Sequence, residues 1–388
     1  MSVDDLSEDG KKLSDEGKYE EAIVCYDKAI EIDPKYVKAW NNKGVELRNL
    51  ERYEEAITCF DKAIEIDPKD VDIWNGRGIV LRRLERYEEA IVCYDKAIEI
   101  DPKDVKAWNL KGIVLRNLER YEEEIACYDR SLEIDPKNVL IWQTKGITSF
   151  ELGRYEEAIV CYDKMIKMKH DEFYAWHNKG AASYNLNDTI NAIICYDRAL
   201  QIRPNNVGTI DAKGKALSGL ERYEEAIACY DRLIEMKPDD TKAWNSKGIA
   251  LQKLERYEEM IECYDKVIEI DPKDVKAWAT KGIAFDGLKK AEQKTACFNK
   301  AIELDSTDSY EWTFKGYEFA KNGDSDHSAF VSITSHWHRQ GKRDFSFPHA
   351  AAYNDAIKCF DKALESDPDN ILAKQMKNVV LRKQKNGW

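Results

Sequence analysis

The chain has 388 residues and a net charge of −13, with 73 Asp and Glu against 60 Lys and Arg. That balance opposes the basic footprint of a general nucleic-acid binder. No apolar run approaches the ~20 residues of a membrane helix, and the opening MSVDDLSEDGKK lacks the apolar segment of a signal peptide, so a cytoplasmic location away from membranes is the expectation.

Slid along itself by 34 residues, the sequence returns to the same letters. Gly44 recurs at Gly78, Gly112, Gly146, Gly180, Gly214, Gly248, Gly282 and Gly316, and Trp40 at Trp74, Trp108, Trp142, Trp176, Trp244, Trp278 and Trp312. A period of this size, helical in its inner spacing, denotes stacked two-helix units. They are read as starting near residues 3, 37, 71, 105, 139, 173, 207, 241, 275 and 309, in one elongated array over 3–370. The first has Leu6 where Trp usually stands, which suits an end unit whose outer side meets water. In the second, helices are predicted over about Val37–Leu50 and Glu54–Ile66. Trp40, Gly44 and Leu47 share one face of the former, and Ala56, Phe60 and Ala63 one face of the latter. With Trp108 and Gly112 two units on, these form the expected repeat core: small residues let the helices approach and aromatics fill the space around the crossing. Asp67-Pro68 stops the second helix.

Trp, Gly, Leu, Tyr, Ala, Phe, Ala and Pro at these offsets resemble the tetratricopeptide repeat. The resemblance implies an all-α fold, an α-solenoid: a right-handed superhelix of about ten helix hairpins, with the amphipathic basic segment 371–386 as a C-terminal capping helix. It also implies that the first helices line an inner groove and that the protein works by binding other proteins.

Departures from the family pattern carry expectations of their own. Glu51, Glu85, Glu119, Glu221 and Glu255 stand in the turn where the family often has Gly, as Gly17 and Gly153 still are; in a left-handed turn each would cost roughly 1–2 kcal/mol. Lys43, Lys111 and their counterparts replace a usual Leu, with stems able to lie over apolar surface. Glu124, Met260 and Lys294 replace the close-packed Ala, which predicts looser packing there. His170 stands for Pro, Thr189 for Tyr and Ile210 for Trp, so residues 165–220 are expected to be less tightly specified. All ten Cys fall at one place in the repeat. Neighbours are a whole unit apart, too far for disulfides, and small packing residues in a reducing compartment are the expectation.

The tenth unit is split. Tyr310, Trp312 and Gly316 begin it and Tyr353, Ala356, Phe360, Ala363 and Pro368 finish it, with an insertion over 322–349. The insertion holds four of the six His: His327, His336, His338 and His349. A metal site is one reading. A surface loop contacting a partner is the preferred one, and docking on the protein's own groove is a third. No metal or other cofactor is expected.

On the first helices a second stripe runs beside the core. It carries Asn41, Val45 and Arg48, then Asn75, Ile79 and Arg82, then Asn109, Ile113 and Arg116. An Arg here makes poor core, since a buried guanidinium needs a partner. It suits a groove in which Asn bonds a peptide backbone and Arg forks onto a carboxylate. Further on the stripe turns aromatic, with Gln143, Phe150, Tyr174, His177 and Tyr184. Family members that hold a chaperone's C-terminal carboxylate use a Lys and an Asn where this chain has Asn41 and Val45, so that clamp is absent. No catalytic motif is present: no G-x-S-x-G, phosphate-binding glycine loop or H-E-x-x-H. The reading is a non-enzymatic scaffold that binds an extended segment or helix of a partner protein. The alternative is a homo-oligomeric assembly protein using the end repeats and the 322–349 insertion; a nucleic-acid-associated regulator is a third, disfavoured by the acidity.

Overall fold

The computed structural model describes residues 1–304 and 349–370 and, beyond them, 373, 374, 376–378, 380 and 381. These residues are all-α, without a strand, and no helix among them is long and apolar enough to cross a membrane. Two compact units divide the chain, Met1–Arg203 and Pro204–Trp388. The first contains α1 (Val3–Asp15), α2 (Tyr19–Ile32), α3 (Val37–Asn49), α4 (Tyr53–Ile66), α5 (Val71–Arg83), α6 (Tyr87–Ile100), α7 (Val105–Asn117), α8 (Tyr121–Ile134), α9 (Val139–Glu151), α10 (Tyr155–Lys167), α11 (Glu172–Asn185) and α12 (Thr189–Ile202). The second contains α13 (Val207–Gly219), α14 (Tyr223–Met236), α15 (Thr241–Lys253), α16 (Tyr257–Ile270), α17 (Val275–Gly287), α18 (Ala291–Leu304) and, after the undescribed stretch, α19 (His349–Ser366). From α1 to α12, and again from α13 to α18, each helix packs on the next in the chain. This is an α-solenoid of helix hairpins.

Local chemistry sets the boundaries. Asp67, extended before Pro68 at φ −130°, ends α4, as the steric demand of a following proline requires. Its carboxylate accepts Lys69 N at 3.0 Å. Asp70 then caps α5, accepting Asp72 N at 2.9 Å and Ile73 N at 3.3 Å. Asp104, Asn138, Asn206, Asp240 and Asp274 cap α7, α9, α13, α15 and α17 in the same way, each satisfying an orphan helix N–H. Trp74 Nε1 reaches back to Pro68 O at 3.0 Å, and Trp40, Trp108, Trp142, Trp244 and Trp278 do likewise to the proline six residues before. Trp40 and Trp108 are half-buried, packed on the edge of the core cluster, so they brace a turn more than they fill a core. Gly44, Gly112, Ala56, Phe60 and Ala63 are buried. A Cβ on Gly112 would stand 2.7 Å from Tyr128 Cε1, which is why that position has none.

Among the described residues the turn inside each hairpin is left-handed. Glu51 sits at φ 60°, Glu85 at 58°, Glu119 at 57°, Glu221 at 60° and Glu255 at 56°, against 77° at Gly17 and 75° at Gly153. Arg52 N bonds Leu47 O at 2.8 Å and Glu51 N bonds Arg48 O at 3.0 Å, the double closure of a Schellman motif. In the irregular stretch, where His170 replaces Pro, α10 stops at Lys167 and the link to α11 uses two positive-φ residues, Lys169 and Asp171. The division between the two units also falls in this stretch, at Arg203–Pro204.

Near the end, Ala373 and Val380 are buried against Ala356, Phe360 and Ala363 of α19, and Lys377 bonds Asp361. The expected cap over 371–386 lies only partly within the described residues. The opening of the tenth unit and the insertion with His327, His336 and His338 lie outside them.

Candidate functional site

Most charges of the hairpins are occupied internally. At the start of the second helices an Arg forks onto an acid three residues on: Arg52 Nε and Nη2 hold Glu55 at 2.7 and 2.6 Å. Arg86–Glu89, Arg120–Glu123, Arg222–Glu225 and Arg256–Glu259 repeat it. These hydrogen bonds hold Glu55, Glu89 and Glu123 below the usual carboxylate range. Arg52, Arg120 and Arg154 also reach Glu20, Glu88 and Glu122 of the preceding hairpin. Exposed and screened, such pairs add little stability, but they leave this face without a free cation at those positions.

A second ladder joins hairpins at a spacing of 16. Lys43 bonds Asp27 at 2.5 Å, Arg77 bonds Asp61 at 2.7 Å, and Lys111 and Lys179 bond Asp95 and Asp163 at 2.6 Å. These cations stand beside the cysteine row, as Arg77 Nη1 does at 3.1 Å from Cys93 Sγ. Burial nevertheless pushes the thiols of Cys59, Cys127, Cys195 and Cys263 up to about 11 and that of Cys161 to about 12. None of the ten cysteines is in a disulfide, and those five are protonated at neutral pH.

The stripe of first-helix residues is where the repeats differ. Asn41, Val45, Arg48, Ile79, Arg82, Asn109 and Ile113 are half-buried. Asn75 is not available to a partner: it is 0 % exposed and its Nδ2 holds Asp104 Oδ2 at 2.6 Å, tying α5 to the cap of α7. Arg116 also departs from expectation. Its Nη1 donates to Thr148 Oγ1 at 2.9 Å and its Nη2 to Glu151 Oε2 at 2.7 Å, with Glu124 Oε1 at 3.6 Å. Glu124 is fully buried and accepts a 2.9 Å bond from Thr148 Oγ1; burial pushes its carboxyl up from the ordinary value. Arg116 is therefore neutralised from within. The sequence held the signal, since Glu124 is the one acid at the Ala position among these hairpins, but its Arg partner lies in a different helix.

Arg48 and Arg82 have no such partner. Arg48 reaches only Asn49 Oδ1, at 3.4 Å, and burial lowers its pKa. The Nε of Arg82 is buried without a hydrogen bond, while its guanidinium lies against the Tyr94 hydroxyl, whose ionisation it favours against burial.

The aromatic part is largely turned into its own packing. Phe150 meets Tyr155 edge-on at 5.3 Å and Tyr174 meets Tyr162 at 6.3 Å. His177 stacks on Phe173 at 6.2 Å, and burial lowers its pKa. Gln143 is half-buried beside the Tyr174 hydroxyl, whose ionisation it favours against burial. Tyr184 alone of these stands out to solvent, 41 % exposed. Among the described residues no cluster of His, Cys, Asp or Glu could hold a metal ion.

Family models described as tetratricopeptide repeat match residues 37–70, 71–104, 93–126, 127–160, 173–206 and 212–275, and one described as TPR repeat matches 10–47. Together they span more than half of the chain. No curated protein matches it. Among solved structures, YrrB, titled a TPR protein with an unusual peptide-binding site, is 23 % identical over 48 % of this chain and 97 % of its own, with a TM-score of 0.43. PilF of Pseudomonas aeruginosa is 18 % identical over 56 % and 97 %, at 0.45. Naa15/Naa10 bound to HypK-THB is 15 % identical over 99 % and 80 %, at 0.44.

Proposed function

The chain belongs to the tetratricopeptide repeat family, and from that premise we propose that it is a non-enzymatic scaffold whose first helices hold an extended segment or helix of a partner protein. The observation that carries this reading is an asymmetry of occupation. On the second helices the Arg–Glu forks satisfy one another, whereas the first-helix stripe keeps half-buried aliphatics, Arg48 and Arg82 without an acid partner and the exposed Tyr184. Preformed surfaces with a few Arg and aromatic anchors are what peptide recognition uses.

Peptides selected from a random library against the full chain test it. Their binding should weaken with Tyr184→Ser or Val45→Asp and be unaffected by Glu88→Ala or Glu122→Ala. Binding lost through the second-helix changes and insensitive to the first-helix ones would overturn the proposal.

A further inference from the structure

Arg48, Arg82 and Arg116 hold one position in three successive repeats, on α3, α5 and α7, which pack side by side. Of the three only Arg116 is in an ion pair. Its partners stand at fixed offsets from it: Thr148 and Glu151 are 32 and 35 residues on, and Glu124 is 8 residues on. At the same offsets from Arg82 stand Val114, Asn117 and Ala90. From Arg48 they are Val80, Arg83 and Ala56, so the place of an acid is taken by a second cation. The nearby buried Glu46 favours the charge of Arg48 without forming an ion pair with it, being held by Ser14 Oγ at 2.8 Å and Asn49 Nδ2 at 3.2 Å, and Arg83 lies close enough to oppose that charge. Among the described residues no ion pair includes Arg48, Arg82 or Arg83, in a chain where most described arginines have one.

We infer that α3 and α5 form a docking surface for an internal acidic segment of a partner, whose side-chain carboxylates take at Arg48, Arg82 and Arg83 the place that Glu151 takes at Arg116. The inference rests on the scaffold reading and adds the chemistry of the bound segment. A carboxylate suits these sites because a guanidinium fork matches it in two parallel bonds. Half-burial withholds part of the water that would otherwise compete. Packed helices lie roughly 8–10 Å apart and extended chain advances about 3.3 Å per residue, so one acid per helix calls for Asp or Glu at i and i+3.

The probe is a fluorescent, N-acetylated and C-amidated peptide of Gly and Ser with Glu at every third position, titrated into the full chain by anisotropy. A Gln-for-Glu version and a free-carboxylate Gly-Ser peptide serve as comparisons. Binding to the Glu peptide alone, weakening with added salt and falling at least tenfold in Arg48→Ala/Arg82→Ala, is the result expected. Two further variants keep Arg48 and Arg82. Asn117→Glu and Arg83→Glu alter exposed positions and supply from within the acid that Glu151 supplies to Arg116. Each should weaken the probe severalfold without lowering the thermal midpoint. Equal binding of the Gln peptide, binding of the free-carboxylate peptide alone, or a probe indifferent to all these variants overturns the inference. Library peptides that remain sensitive to Tyr184→Ser but ignore Arg48→Ala/Arg82→Ala would overturn it while leaving the scaffold reading intact.

Discussion

Replacing the left-handed glutamates by glycine should stabilise the protein. At φ 56–60° the Cβ of Glu51, Glu85, Glu119, Glu221 or Glu255 crowds the following carbonyl, a strain of roughly 1–2 kcal/mol per residue. Glycine removes it but is freer in the unfolded chain, which returns about 0.5–1 kcal/mol. Each Glu→Gly should therefore gain about 0.5–1 kcal/mol. Nothing offsets this in side-chain contacts, because all five glutamates are exposed and the hydrogen bonds closing the Glu51 turn are backbone bonds that glycine keeps. Sites a full repeat apart should add, so Glu51→Gly, Glu85→Gly and Glu119→Gly together should gain about 1.5–3 kcal/mol. For a unit of this size each 1 kcal/mol raises the midpoint by about 2–4 °C. Urea and thermal unfolding of the singles and the triple measure it, with Glu→Ala at the same sites as the control that keeps the Cβ. Glycine no better than alanine would refute the strain argument, as would Gly153→Ala proving harmless.

The buried acid gives a pH signature. The folded-state carboxyl of Glu124 is raised by burial, so its protonated form favours the fold, and that contribution is lost as pH rises through the raised value. Glu124→Gln should flatten the fall in stability between acidic and neutral pH, measured as the difference from wild type at each pH; an unchanged difference would contradict it. Trp108→Phe keeps a ring but loses the 3.1 Å bond to Pro102 O, for about 0.5–1.5 kcal/mol in denaturant unfolding. Gly112→Ala should cost about 1–3 kcal/mol by overpacking against Tyr128, and adding Tyr128→Leu should recover part of it. In thiol labelling at pH 8, the half-buried Cys25 and Cys229 should react before Cys161, whose thiol lies near 12, and equal rates would show the row to be open.

What was legible in the sequence is what every repeat must do for itself. Gly44 facing Phe60, the Asp–Pro stop and the turn glutamates are local or lie one hairpin apart, so a period of 34 exposes them. Contacts at other spacings were present in the letters but needed geometry. Asp27 and Lys43 recur together down the chain, yet nothing in a helical wheel says that residues 16 apart on different helices meet. The Trp ring looked like core because its period matched the core, and the structure gives it a half-exposed bracing role through the indole N–H. Asn75 and Arg116 misled for a related cause: their partners lie in other helices, Asp104 for the one and Thr148 and Glu151 for the other, at spacings of 29, 32 and 35 that a helical wheel does not show.

In an array built from one unit, a residue needed for stacking is needed in every copy, so its partners recur with it. Arg52 has Glu55, and Arg86, Arg120, Arg222 and Arg256 each have their own Glu three residues on; Lys43 has Asp27, and Lys111, Lys179 and Lys247 each have their own Asp. A charge that recurs without its partner is in a different position. Desolvating a guanidinium is unfavourable unless something compensates, and the chain pairs Arg116 with Glu151 where it provides the compensation itself. Drift at an unused surface offers no reason for Arg48 and Arg82 to remain half-buried and outside any ion pair next to Arg83, since an exposed lysine or a neutral side chain would be less unfavourable there. Replacing both by glutamine in the absence of any peptide should therefore raise the midpoint of Met1–Arg203 unfolding, followed by local hydrogen exchange on α3 and α5. A lowered midpoint would mean that the two arginines already have all the compensation they need, and that this surface awaits nothing.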